Sequence, residues 1–112
     1  MFGISREEYK SLPMRLARTA LAEDSSIVLL DVRTEEEFGE AHIPGSRNLP
    51  LDQLHRAEQL IGSRNAKLFV YCHSGVRSAA ACAALADAGY TDVTDIGGIL
   101  AWDGPIEKED VQ

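Results

Sequence analysis

Residues 71–78, "YCHSGVRS", set a cysteine, a histidine and an arginine around a glycine directly after the apolar run "KLFV". In most positions a thiol is inert packing, but a thiolate ringed by backbone N–H groups is a nucleophile. Cys72 closes the apolar run and a helical pattern begins about five residues later, so the backbone between must turn sharply. Its N–H groups then have no strand or helix partner, and concave N–H groups at a helix N-terminus make an anion cradle. With the helix macrodipole and the Arg77 guanidinium, this cradle is expected to depress the Cys72 pKa and hold a thiolate at neutral pH. Gly75 supplies the backbone freedom of a tight loop. Arg77 is expected to offer its fork of donors to an oxyanion substrate in preference to bridging a carboxylate. His73 either adds positive potential or faces solvent. Ser74, Val76 and Ser78 complete the loop, with Ser78 as the cap of the following helix.

The elements that must position this loop are legible in the patterning. "SIVLLDV" and "KLFVYC" are uninterrupted apolar runs, the signature of strands covered on both faces, and "DVTDI" reads as a third strand before "GGILAW". Thr34 with Glu37 forms a capping box that opens a short helix over "TEEEFGEA". "HIPGSRNLP" is a turn and a brief extended piece, "LDQLHRAEQLIG" an amphipathic helix closed by Gly62, and "SAAACAALADAG" a small-residue helix closed by Gly89. At the N-terminus, Ser5 with Glu8 is a second capping-box pattern. Pro13 is placed to end that helix and open another through "MRLARTALAED".

Strands alternating with helices of this length imply right-handed crossovers and a mostly parallel sheet with helices on both faces. In such a sheet, ligand sites form outside the carboxyl ends of the strands. "DVR", "CHSGVRS" and "GG" each follow a strand, so Asp31, Arg33, Cys72 to Ser78, Gly97 and Gly98 are expected on one edge. There Asp31 and Arg33 read as a supporting charge pair beneath the loop, and His42 as a turn organiser bonded to backbone. His55 on a polar helix face reads as solvated, while Trp102 and Leu100 roof the core or the pocket edge. Cys82 stands a turn into its helix, ~6 Å along the axis from Ser78, so core packing is the better account than a disulfide with Cys72.

Composition bounds the alternatives. At 112 residues the chain suits one compact domain. Two cysteines without a Cys-x-x-Cys pair, and no histidine cluster, argue against a disulfide framework or a structural zinc site, and suit a reducing compartment. No secretory leader or membrane span is legible, so a cytoplasmic location is expected. The formal net charge of -7 disfavours nucleic-acid and anionic-membrane partners.

"VLLDVRTEEEFGEAHIPGSRNLPL", "YCHSGVRS" and "GGILAW", in this order, resemble a rhodanese-like single-domain sulfurtransferase over residues 27–102. The resemblance implies a three-layer α/β sandwich filling residues 1–112 as one domain, with a core over about 27–104 and a frayed tail from 107. It implies that Cys72 takes a sulfane sulfur from thiosulfate or another persulfide donor and passes it to a thiol or cyanide acceptor, with no metal and no cofactor. An acceptor protein is a further possible partner. Two other functions stay open: a non-catalytic binding module, which usually lacks the cysteine, or a sulfur-relay carrier for a partner protein, and a phosphatase or arsenate reductase. Relatives of the latter kind carry five residues between cysteine and arginine, and here there are four. Ala41 stands where the family often has glycine, and the segment after Trp102 is short, which bears on the pocket rim and so on the acceptor.

Overall fold

The computed structural model describes residues 9–109, and the Ser5–Glu8 capping pattern lies outside them. The three expected strands form: β2 (Val28–Asp31), β4 (Leu68–Cys72) and β5 (Val93–Gly98). Two short strands complete the sheet, β1 (Lys10–Ser11) beside β5 and β3 (Arg47–Asn48) beside β2. The order is β1-β5-β4-β2-β3 and every pairing is parallel. The helices are α1 (Met14–Glu23), α2 (Glu35–Glu40), α3 (Ala57–Ile61) and α4 (Val76–Asp87).

Successive strand residues face opposite sides of a sheet, and both sides here are covered. Leu30, Leu68, Val70, Cys72 and Val93 pack with Ala81, Cys82 and Leu85 of α4 and Ala57 of α3. Leu29, Phe69, Tyr71 and Ile96 pack with Met14 and Ala17 of α1 on the other side. This is the three-layer sandwich, and it explains why β4 is buried at all of its positions and carries no polar alternation. Cys82 is fully buried and both cysteines are free thiols. His55 is exposed. Among the described residues no helix is long and apolar enough to cross a membrane.

Several local expectations are corrected. Lys10 and Ser11 are an edge strand paired with Thr94 and Asp95, not the end of a helix, and Pro13 caps α1. The "LDQLHR" stretch is a 3₁₀ turn, kinked at Gln53 (φ -125°, ψ 26°), that leads into α3. The Leu51 N–H donates to the Val32 carbonyl at 3.1 Å and draws this first turn onto the sheet, out of helical register. Of the tail expected to fray from 107, the described residues 107–109 are held: Glu107 and His42 exchange backbone hydrogen bonds of 2.8 and 2.9 Å, and the Glu109 N–H donates to the Gly39 carbonyl at 2.9 Å. Leu100 is 70% exposed and does not roof the core. Its 3₁₀ turn, Ile99–Ala101, sends Ile99 inward instead, while Trp102 packs on the α1 side with its indole N–H on the Pro105 carbonyl.

Candidate active site

Cys72 ends β4 and α4 begins at Val76, so three residues, His73, Ser74 and Gly75, make the whole turn. β5 makes room for it. Its register against β4 slips after Val70, which pairs with Asp95, so that Tyr71 and Cys72 pair with Gly97 and Gly98 and Ile96 is the extra residue. A Cβ on Gly98 would run into the His73 carbonyl oxygen and the Ser74 Cα, so only glycine lets the loop cross the strand end. Gly75 sits at φ +108°, a left-handed conformation that favours glycine, and this aims its N–H back at the Cys72 sulfur at 2.9 Å.

The sulfur lies on the floor of this loop, and Cys72 is 1% exposed. Burial pushes its thiol pKa up. The Ser78 hydroxyl and the N–H groups of Ser78, Gly75 and Ser74 pull it down further, and the net direction is down from the usual 9.0. The expected cradle is therefore built from neutral donors at the first turn of α4. Ser78 is not the helix cap: Gly75 holds that position, and Ser78 is fully buried in the first turn. Its Oγ lies 2.8 Å from Asp95 Oδ1 and 3.1 Å from the Gly75 carbonyl, while the Gly97 N–H donates to the same Asp95 oxygen at 2.9 Å. His73 and Ser74 are exposed, and Val76 is 77% exposed at the rim.

Arg77 is where the structure departs most from expectation. Its Nη1 and Nη2 donate to the two carboxylate oxygens of Glu37 at 2.7 and 3.0 Å, a carboxylate bridge in place of the expected open fork. Glu37 also accepts from the Thr34 N–H at 2.9 Å, and the Thr34 hydroxyl accepts from the Glu37 N–H at 3.1 Å, so the expected capping box is complete. Its hydrogen bonds to Arg77 outweigh the opposing effect of burial and hold its carboxyl at about 2.

Asp31 and Arg33 form the expected buried pair, with Arg33 Nη2 to Asp31 Oδ2 at 2.7 Å. Arg33 Nη2 also donates to the Ala41 carbonyl at 2.6 Å, and the guanidinium carbon lies 5.8 Å from the Tyr71 ring centroid. The Tyr71 hydroxyl accepts from the Ile43 N–H and shares a hydrogen bond with Ser46, both at 3.1 Å. The pair thus ties β2 to the turn before β3. His42 organises the same turn, as expected. Its Nδ1 meets the Phe38 carbonyl at 2.7 Å and its ring stacks on Phe38 at 3.8 Å.

A cleft of about 410 Å³ between Lys10, Ala20, Ile27 and Thr94 lies at the opposite, amino edge of the sheet and holds none of these groups. Among the described residues no cluster of three or more His, Cys, Asp or Glu side chains could hold a metal ion.

The model of the rhodanese-like domain matches residues 17–104, which run from within α1 to just past the 3₁₀ turn and take in every strand of the sheet but β1. The chain belongs to the rhodanese-like domain family. This rhodanese-like domain is 37% identical over 101 residues to a sulfurtransferase of Allochromatium vinosum, covering 88% of each chain. It is 33% identical over 108 residues to YrkF of Bacillus subtilis, a protein provisionally named a sulfur carrier, and there covers 92% of this chain but 57% of the relative. A solved rhodanese with anions from E. coli superimposes with a TM-score of 0.69 at 31% identity, covering 73% of this chain and 98% of that one.

Three residues of the rhodanese-like site were not singled out from the sequence. Asp95 was readable as an acid inside the strand "DVTDIGG", where only a partner such as Ser78 justifies a charge. Glu37 reads from sequence as a capping-box member, and nothing local points forty residues on to Arg77. Tyr71 passed as one more apolar strand residue.

Proposed function

We propose that this protein is a sulfurtransferase that carries its sulfane sulfur as a persulfide on Cys72. The observation that carries this reading is the Cys72 sulfur facing the Gly75 N–H at 2.9 Å at the start of α4, among further donors from Ser74 and Ser78. Such a site stabilises an anionic sulfur with fixed neutral dipoles and needs no proton acceptor of its own. With thiosulfate as donor, the Cys72 thiolate attacks the outer sulfur. A new S–S bond forms, the S–S bond of thiosulfate breaks, and sulfite leaves with the electron pair. The outer sulfur of the persulfide is then attacked by cyanide or a thiolate, and the Cys72 thiolate is the leaving group. The Cys82 thiol is pushed up by burial and takes no part.

A second reading, a sulfur relay to a partner protein, is supported by the exposed side chains of Val76, which follows the loop, and Leu100, whose N–H bonds the loop's His73 carbonyl, and by the naming of YrkF. It uses the same persulfide, so both readings share one test. Intact mass is measured after incubation with thiosulfate and again after cyanide. One added sulfur that cyanide removes, and that Cys72→Ser abolishes, is expected. An unchanged wild-type mass with every sulfane donor tried would overturn the reading. The four-residue spacing between Cys72 and Arg77 favours sulfur over a tetrahedral phosphoryl group, so no aryl phosphate hydrolysis is expected.

A further inference from the structure

We infer that Glu37 sets the donor specificity of the Cys72 site: by neutralising Arg77 it turns the site away from dianionic donors such as thiosulfate and toward organic persulfides, R–S–SH. The inference rests on the sulfurtransferase reading and names its donor class. Two independent observations carry it.

The first is an account of charge. Arg77 is the one Lys or Arg in residues 72–78, and both of its terminal nitrogens are committed to the two oxygens of Glu37 at 2.7 and 3.0 Å. Glu37 is itself fixed by Thr34 at the start of α2, so the pair is clamped from two elements. A planar fork that is already bidentate to one carboxylate cannot give the same face to a sulfonate. The remaining donors around the sulfur are backbone N–H groups and the Ser78 hydroxyl, enough for the single charge of a thiolate or persulfide. A thiosulfate dianion would add two charges to that site within a chain of net charge -7. The second observation is the rim. Val76, 77% exposed, opens α4, and Leu100, 70% exposed, is tied to the loop by its N–H on the His73 carbonyl at 3.3 Å. These side chains give the organic body of a persulfide an apolar contact, and thiosulfate has no apolar part to use it.

The donor step then balances without an oxidant. The Cys72 thiolate attacks the outer sulfur of R–S–SH, the Cys72 S–S bond forms and the donor's S–S bond breaks. The outer sulfur keeps its proton, and R–S leaves as the thiolate.

Three anionic donors separate charge from apolar contact: thiosulfate, methanethiosulfonate, in which a methyl group replaces one charged oxygen, and benzenethiosulfonate, which adds a ring. Loading of Cys72 is followed by mass in single-turnover experiments, and ratios between variants cancel the donors' intrinsic reactivities. Glu37→Gln removes the charge while a glutamine in that position still completes a capping box. It should lower the half-saturating thiosulfate concentration roughly tenfold, about one charge-assisted hydrogen bond, with a smaller gain for the two monoanions. Adding Arg77→Gln to Glu37→Gln should cancel the thiosulfate gain, while Arg77→Gln alone should cost thiosulfate loading only about twofold. Leu100→Ser should weaken benzenethiosulfonate more than thiosulfate. If Glu37→Gln leaves thiosulfate saturation unmoved, or slows all three donors alike, the pair is a strut between α2 and α4 and the inference fails while the sulfurtransferase reading stands. If no donor loads Cys72 in any of these proteins, the reading and the inference fall together.

Discussion

Replacing Ser78 by alanine removes a buried hydroxyl from the first turn of α4 and should make Cys72 a weaker acid. The hydroxyl has one proton and three acceptors within reach: the Cys72 sulfur, the Asp95 carboxylate at 2.8 Å and the Gly75 carbonyl at 3.1 Å. A hydrogen bond to a charged group contributes ~1.5–3 kcal/mol. The proton must leave Asp95 to serve the thiolate, so only the difference between two charge-assisted bonds is gained. That difference is about 1 kcal/mol, or about fivefold in thiolate fraction at pH values below the titration midpoint. Iodoacetamide alkylation followed from pH 5 to 10, with Cys82→Ala as the background so that one thiol reports, measures it. Ser78→Ala should shift the profile toward alkaline pH and leave the high-pH plateau in place, because the thiolate once formed is still flanked by three N–H groups. Asp95→Asn should shift it the other way, since removing the competing charge frees the Ser78 proton for sulfur and removes a nearby negative charge. If both substitutions move the profile in the same direction, or only lower the plateau, the proton is not shared and the account of the cradle is wrong.

The remaining expectations test the frame around the loop. Arg33→Met should leave the buried Asp31 carboxylate without its cationic partner, the residue 33 backbone N–H still donating to it, and cost about 3 kcal/mol in urea unfolding, with part of that regained when Asp31→Asn is added. Gly98→Ala puts a methyl group into the His73 carbonyl and the Ser74 backbone. It should cost about 1–3 kcal/mol and reduce sulfur loading by displacing the loop; full loading would show that the close approach is dispensable. Glu37 has a folded-state pKa of about 2 against its usual 4.5, so its contribution to stability is present above 4.5 and is lost as pH falls toward 2. Urea midpoints of the wild-type protein and Glu37→Gln should therefore draw together over that interval, and curves that stay parallel would remove the ion pair from the stability of the fold.

The sheet was legible because β2 and β4 are covered on both sides and read as unbroken apolar runs, with turns between them marked by glycine and proline. β1 and β3 were not. Each pairs over two residues, and Lys10, Ser11, Arg47 and Asn48 carry no apolar signal, so their strand character comes only from lying against β5 and β2. The cysteine loop was legible for a different reason. A short turn between a strand and a helix leaves N–H groups without strand or helix partners, and Gly75 suits the left-handed φ that the turn takes.

What local pattern cannot carry is the partner of a charge. Arg77 next to a nucleophile invites assignment to an anionic substrate, yet its partner comes from the first turn of α2, and that position is fixed by parallel pairing of β2 with β4 and not by any residue near Arg77. The same holds for Ser78, whose position three residues after Gly75 suggests a cap until β5 brings Asp95 against it. In both cases tertiary pairing supplies a carboxylate to a polar group of the loop, one neutralising a cation and one competing for a proton. The anion held by the loop is consequently stabilised by backbone dipoles and by little net charge. Such a site should discriminate among donors by their charge and retain its thiolate at high ionic strength, since fixed dipoles at contact distance are screened far less than exposed ions. An alkylation profile of Cys72 that is unchanged between 0.05 and 1 M sodium chloride, on the order of a threefold change in Debye length or more, is the result this predicts. A marked alkaline or acid shift with salt would return the principal role to the Arg77 charge.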